Sequence, residues 1–317
     1  MSVEPRKHVR LPIGRGSLVT TTPSVRRDVT VLDGGGTHAA SAEAGSAEAG
    51  SAQAGSAQAG SAVAGSDQLA VEEPLELRVA GEPIAVTMRT PGHDEELAAG
   101  FLYTEGVVPN GAALERVAHW HDASGRALPD VIEVRLREGA TVDVGRARRA
   151  FYAASSCGVC GKTTIDSIRT KVGALTREQD STTFSRERLY AMPAAMRPAQ
   201  ATFEHTGGLH AAALFAPDGT LVVLREDVGR HNATDKVIGH MLLAGRSLAG
   251  HALLVSGRAG FEIVQKAAVA RIPLLAAISA PTSLAVDLAV ELGVTLVGFL
   301  RPPRAVVYGH AWRVLGD

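Results

Sequence analysis

The sequence is short of three things. Its 317 residues hold two cysteines, 4% aromatics and a formal net charge of −1. Two cysteines cannot form a disulfide scaffold, so stability must come from a packed core, for which the length suffices. The absence of a basic excess argues against nucleic acid as partner, and no acidic tail points to a basic one. Long apolar runs are missing too. "IPLLAAIS" is far below the roughly 20 residues that a membrane helix needs, so no membrane is expected. The opening "MSVEPRKHVRLPIG" has no apolar signal region, which makes the reducing cytoplasm the expected compartment.

What is present divides the chain. Residues 1–27 read as a tail and 28–150 as a smaller N-terminal α+β domain. An Ala/Gly/Ser repeat of the type G-S-A-x-A fills the insertion 36–66. Its side chains bury too little surface to offset the entropy of ordering, so it is expected to be flexible and without chemistry. On either side, "RRDVTVLD" and "QLAVEEPLELRVAGEPIAVTMRT" read as strands, the second as a hairpin about "VAGEP". "DEELAAGFLYTEGVV" reads as a helix with Leu97, Phe101 and Leu102 on one face. "RVAHWHDA" and "DVIEVRLRE" add two strands.

Residues 151–317 read as a second domain. "KTTIDSIRTKVGAL" places Ile165, Ile168, Val172 and Leu175 on one helical stripe. After the hairpin "LHAAALFAPDGTLVVLRED", helices and strands alternate through "NATDKVIGHMLLAG", "ALLVS", "FEIVQKAAVA", "LLAAIS", "LAVDLAVEL" and "VTLVGFL". Alternation implies parallel pairing with right-handed crossovers, hence a three-layer α/β/α domain with a mixed sheet. Ligands of such sheets bind beyond the carboxyl ends of the strands. Those ends carry "SGRAG" with Ser256, Gly257 and Arg258, "SAPTS", "FLRPPR", and "REDVGRHNATDK" with Asp227, Arg230 and His231. Glycine turns before helices, flanked by arginine, suit phosphate groups. Each turn on its own also reads as an ordinary helix start. His205 and His210 are lone histidines with no role assigned.

Both cysteines sit in "SSCGVCGKTT" as C-x-x-C, before a helix start and beside Lys162, a setting that favours thiolate. Zinc chemistry of the deaminase type would need Pro where Ser156 stands, and His93-Asp94-Glu95 falls in the other domain. A phosphate-binding loop fails at Ser156, which would have to be glycine. Dithiol–disulfide exchange stays open, as does sulfur carriage, in which a thiolate takes the outer sulfur of a persulfide. A cofactor-binding chaperone that needs no thiol also remains open.

Taken together, "SSCGVCGK", "REDVGRHNATDKVIG", "SGRAGFEIVQKAA", "SAPTSLAVDLA", "VTLVGFLR…VVYGH" and "VTMRTPGHDEELAAGFLYTEGVV" resemble the FdhD family of formate dehydrogenase accessory sulfurtransferases. The resemblance runs from about residue 67 to 317, with a short strand before the insertion. It implies a cytidine-deaminase-like α/β/α domain without the zinc. It implies that Cys157 carries a persulfide received from a cysteine desulfurase, with Cys160 as its partner thiol. The acceptor would be the molybdenum cofactor, as bis(molybdopterin guanine dinucleotide), before its insertion into formate dehydrogenase. That cofactor is bound as a substrate, and none is expected to be held permanently. The family's cofactor-binding stretch matches Phe299, Leu300, Arg301, Pro302, Pro303 and Arg304. A homodimer is implied as well.

Overall fold

The computed structural model describes residues 23–33, 61–122, 124–140 and 172–315, with the side chains of 30–33 and 61–64 left aside. The first element pair is an antiparallel ladder between β1 (Ser24–Asp33) and β2 (Ser61–Ala70), running from Ser24↔Ala70 to Asp33↔Ser61. This corrects the expectation for the end of the Ala/Gly/Ser insertion: residues 61–66 are strand. The expectation weighed side-chain burial alone. A ladder to β1 is held by main-chain hydrogen bonds, and small side chains do not oppose it.

A four-stranded sheet follows, from β3 (Glu73–Val79), β4 (Glu82–Arg89), β5 (Leu114–His121) and β6 (Ala127–Leu136), in the order β4-β3-β6-β5. Only β3 and β6 pair in parallel. Period-2 alternation turns Leu75, Leu77 and Val79 inward, where Leu97, Ala98 and Leu102 of α1 (Asp94–Thr104) cover them.

The remaining elements build a six-stranded sheet, its covering helices and a small parallel pair of strands. They are β7 (Phe184–Ser185), α2 (Arg186–Met196), α3 (Ala201–Thr206), β8 (His210–Phe215), β9 (Leu221–Asp227), α4 (Arg230–Leu243), β10 (Ala252–Val255), α5 (Phe261–Val269), β11 (Leu274–Ala277), α6 (Ser283–Leu292), β12 (Thr295–Arg301), β13 (Arg304–Tyr308) and β14 (Val314–Leu315). The order of the large sheet is β13-β12-β11-β10-β8-β9, with β10, β11 and β12 parallel and the other pairings antiparallel; β7 and β14 form the small pair. The short strands "ALLV" and "LLAA" are buried at every position, the pattern of strands covered on both faces. Ala212, Leu214, Leu253 and Leu275 face α4, α5 and α6. Ala211, Ala213, Leu254 and Ala276 face Leu189, Met192 and Met196 of α2. The alternating strands and helices read from sequence are therefore present, as a mixed sheet with helices on both faces.

Two stretches differ from expectation. The sequence places no element over residues 184–206, yet α2 is there. Ser185 caps it, its hydroxyl accepting from the Arg188 amide at 3.3 Å. In the other direction, the stripe expected through Leu175 is not helical at Val172–Leu175. The Leu175 amide instead donates to Leu292 O at 2.9 Å, and its side chain is buried beside the end of α6. Residues 162–171 of that stripe lie outside the described residues. Among the described residues no helix is long and apolar enough to cross a membrane.

Candidate functional site

Because β10, β11 and β12 run parallel, their carboxyl ends share one edge of the sheet, and β9 ends there too. β8, antiparallel to β10, begins there. This brings Ser256 and Gly257, the "SAPTS" turn, the β12–β13 hairpin and the start of α4 onto one ledge. It also brings His210, which the sequence left without a role. The signal was the antiparallel pairing of β8 with both neighbours, a property of three strands together rather than of the histidine's own surroundings.

Ser256 joins β10 to β8: its hydroxyl accepts from the Ala211 amide and its own amide donates to Ala211 O, both at 2.9 Å. Gly257 then passes close under two side chains. A Cβ at this position would fall 3.2 Å from His210 Nδ1 and 3.9 Å from Arg230 Cδ. Burial lowers the pKa of His210, and the charges of Arg230 and His231 push it the same way, against the raising effect of Asp227. The ring is thus held neutral beside a guanidinium. Arg230 Nε is buried with no partner. His231 Nε2 stands 3.2 Å from Glu262 Oε2, while Glu262 Oε1, also buried, has no hydrogen-bond partner. Burial would raise the Glu262 carboxyl, but the contact and charge of His231, with the charge of Arg230, hold it below the usual range. Arg258 is exposed at the rim.

The helix starts here differ. Thr282 caps α6, its hydroxyl accepting from the Ala285 amide at 3.4 Å. Gly229 and Gly260 precede α4 and α5 and provide no side-chain cap, which leaves first-turn N–H groups to other acceptors. Uncapped helix ends, an orphaned guanidinium nitrogen and a neutral imidazole are groups of the kind that can donate hydrogen bonds to an anion.

Asp227 takes a different place. It is fully buried, 2.7 Å from Lys236 Nζ, and accepts from the amides of Thr90 and Gly229 and from Asn232 Nδ2. Lys236 Nζ also donates to Thr90 O at 2.8 Å. No oxygen of Asp227 is left for a ligand. The residue expected at the site lies beneath it, pinning the loop before α1 to the end of β9. Asp94, of the metal-like His93-Asp94-Glu95 triplet, is likewise consumed, in a two-pronged pair with Arg89 at 3.0 Å on each prong.

The stretch Phe299–Arg304 forms the tip of the β12–β13 hairpin. The Phe299 amide donates to Ser279 O at 3.1 Å, tying the hairpin to the "SAPTS" turn. Phe299 has φ 52 and an exposed ring. A bulky residue in this left-handed conformation is an outlier of the kind that clusters at binding sites. Arg301 and Arg304 are cross-strand partners, and both are exposed, as are Pro302 and Pro303. Leu300 departs from expectation: it is fully buried in the core beneath, so its side chain is not available to a ligand. Strand spacing of about 4.8 Å puts β12 about 10 Å from β10, the span of an extended, multiply charged ligand. Cys157 and Cys160 lie outside the described residues.

The model of the FdhD/NarQ family matches residues 70–315, and with them every element of this ledge. The chain belongs to the FdhD/NarQ family. Among relatives in that family, the sulfur carrier protein FdhD of Streptomyces coelicolor is 49% identical over 251 residues, covering 78% of this chain and 89% of that protein. The one from Mycobacterium tuberculosis is 48% identical over 254 residues, covering 78% and 92%. A crystal structure of a candidate formate dehydrogenase accessory protein from Desulfotalea psychrophila matches with a TM-score of 0.68 at 22% identity, over 93% of this chain and all of that one. This last likeness bears on the fold.

Proposed function

We propose that this protein is a cytoplasmic sulfur carrier that serves formate dehydrogenase as a homodimer. A cysteine desulfurase supplies the sulfur, and the molybdenum cofactor, as bis(molybdopterin guanine dinucleotide), receives it. The observation that carries this reading is the pair Cys157 and Cys160, the only cysteines of the chain, in a family whose named relatives are sulfur carriers. The same reading gives the six-stranded half the layering of a cytidine deaminase.

The chemistry balances in two steps. The Cys157 thiolate attacks the outer sulfur of the donor's persulfide. A bond forms from Cys157 Sγ to that sulfur, the donor's S–S bond breaks, and the donor leaves as a thiolate. In the second step the Cys160 thiolate attacks Cys157 Sγ. The two cysteines join, and the outer sulfur departs with the bonding pair as hydrosulfide, which replaces an oxygen ligand on the molybdenum substrate as hydroxide leaves. A cellular dithiol then reduces the Cys157–Cys160 disulfide. The ledge holds the substrate: Arg230, Arg258, Arg301 and Arg304 face its phosphates, and the exposed ring of Phe299 offers a surface on which a guanine stacks.

The test is a mass measurement after incubation with a cysteine desulfurase and cysteine. Wild type and Cys160→Ala are expected to gain one sulfur, and Cys157→Ala none. A Cys157→Ala protein that still gains it, or a wild type that never does, overturns the assignment.

A further inference from the structure

At the opposite end of α4 from the ledge, the chain turns into β10, and two cavities open side by side. One has a volume of about 650 Å³ and the other about 300 Å³, and Leu242, Arg246 and Ser247 line both. The floor of the larger is apolar, from Leu114, Leu242 and the exposed Leu243. Its wall carries Arg116, Arg137 and Arg246 against a single carboxylate, Glu115. All three arginines are exposed, and among the described residues none of them has an ion-pair partner. The smaller cavity adds Arg271, whose guanidinium among the described residues donates to neutral acceptors, Gly173 O and Gln179 Oε1, each at 2.8 Å. Its one carboxylate, Asp180, is consumed by Arg313 at 3.1 Å and by the amides of Thr182 and Gly250.

The groove also lies where the thiol-bearing stretch departs and returns. Arg137 lines the larger cavity and its carbonyl accepts from the Ala140 amide, while Leu175 lines the smaller one. Residues 141–171, which include both cysteines, join these ends. That stretch carries Arg146, Arg148, Arg149, Lys162, Arg169 and Lys171 against Asp143 and Asp166. A basic segment does not complement a basic groove, so the charge calls for an occupant from outside the chain.

We propose that this groove is the docking surface of the sulfur-donating protein, entered by an acidic segment that places one large apolar side chain over Leu242 and Leu243. The inference rests on the sulfur-carrier reading above and adds to it the surface by which the donor is recognised. Unpaired guanidinium groups around an apolar floor give both steering and an anchor. A donor seated there stands beside both ends of the stretch that it must load, while the ledge at the far end of α4 stays free for the acceptor.

The experiment measures binding of a cysteine desulfurase to the full chain at low salt, for wild type, for Arg137→Glu with Arg246→Glu, and for Leu243→Ser. All three positions are exposed, and circular dichroism checks that the variants fold. Double charge reversal is expected to weaken binding about tenfold or more, and Leu243→Ser to weaken it several-fold. Loading of Cys157 by inorganic polysulfide, which needs no docking, is expected to be equal in all three proteins. Wild type that does not bind the desulfurase, or charge reversal that leaves binding unchanged, overturns the docking surface. Wild type that polysulfide cannot load overturns the carrier reading instead. Conversion of a dimer to a monomer by charge reversal, seen in sedimentation, assigns the groove to a second copy and overturns the proposal. So does cleavage within 141–171 that rises in the variants while desulfurase affinity holds, because the chain's own segment then fills the groove.

Discussion

Gly100 of α1 and Gly239 of α4 meet backbone to backbone. A Cβ on Gly239 would strike the carbonyl of Glu96 and lie 2.8 Å from the Gly100 amide nitrogen, and a Cβ on Gly100 would lie 2.9 Å from that of Gly239. The atoms in the way are main chain, so no side-chain rotation relieves the clash. The crossing fixes how the four-stranded half sits on the six-stranded half, and through the Thr90–Asp227 contacts it supports the ledge. Gly239→Ala is expected to destabilise the fold by about 3 kcal/mol, the upper end of the usual cost of overpacking, and a thermal melt reads it. A melt unchanged within a degree would show that the helices separate at no cost.

One helical turn earlier on α4, Asp235 closes the same interface with a buried charge pair. Lys266 Nζ on α5 sits 2.9 Å from Asp235 Oδ2, 2.9 Å from Thr104 Oγ1 and 3.2 Å from Glu105 Oε1. Burial would lower the Lys266 pKa, but the two carboxylates outweigh it and hold the ammonium charged. Removing one partner strands the other in an apolar setting. Lys266→Met is expected to cost about 3–5 kcal/mol, while Lys266→Met with Asp235→Leu recovers much of it. A double variant no more stable than the single one in urea unfolding would argue that Asp235 is already satisfied by Thr104.

These two features show where the sequence is legible and where it stops. The strand–helix alternation from β8 to β12 could be read because each element is continuous, apolar and bounded by Gly, Pro or Asp. The basic hairpin tip and the "SGRAG" turn could be read because β-strand ends are local. The burial of Asp227 and Asp235 could not. "REDVGRHNATDK" looks like one polar cluster in sequence, but helical periodicity sends Arg230 and His231 to the ledge, Asn232 and Lys236 against the end of β4 and the loop before α1, and Asp235 against Thr104 of α1. Leu300 was hidden for another reason: the register shift between Gly298 and Arg301, where Phe299 takes a left-handed conformation, turns Phe299 outward and its neighbour onto the same core as Val297. His210 needed the pairing of three strands, and β2 needed a partner strand far away in sequence.

Glu96 supplies a pH dependence. Arg225 on β9 grips it with two nitrogens, at 2.6 and 2.8 Å, and His240 Nδ1 on α4 lies 2.9 Å away. His93, on its own helix cap, is 3.6 Å away. Burial would raise the carboxyl, but the hydrogen bonds from Arg225 and His240 and the charge of Arg225 hold it below its usual 4.5. A carboxyl with a depressed value in the fold stabilises the fold above its unfolded value and loses that contribution as pH falls through the folded one. Glu96→Gln is therefore expected to lower the melting temperature at pH 7, with the gap to wild type closing below about pH 4. A gap that stays constant down to pH 3 would show that the carboxylate charge adds nothing.

The ledge makes the sharpest claim on ligand binding. Arg230 keeps a buried nitrogen without a partner, Gly257 leaves room beside it, and His210 stands neutral at the same point. Guanosine diphosphate is a suitable probe, because it combines a base with adjacent phosphates. A hydrogen bond to a charged group contributes about 1.5–3 kcal/mol, so Arg230→Gln is expected to weaken the probe by about tenfold or more in calorimetric titration. Gly257→Val fills the space under His210 and Arg230 and is expected to act as strongly without removing any charge. Arg301→Gln with Arg304→Gln tests the other end of the ledge, and a comparable loss there is expected only if the ligand spans from β10 to β12. If the Arg230 and Gly257 variants bind as wild type does while the hairpin variant does not, the ligand sits on the β12–β13 tip alone, and the orphaned guanidinium belongs to the scaffold.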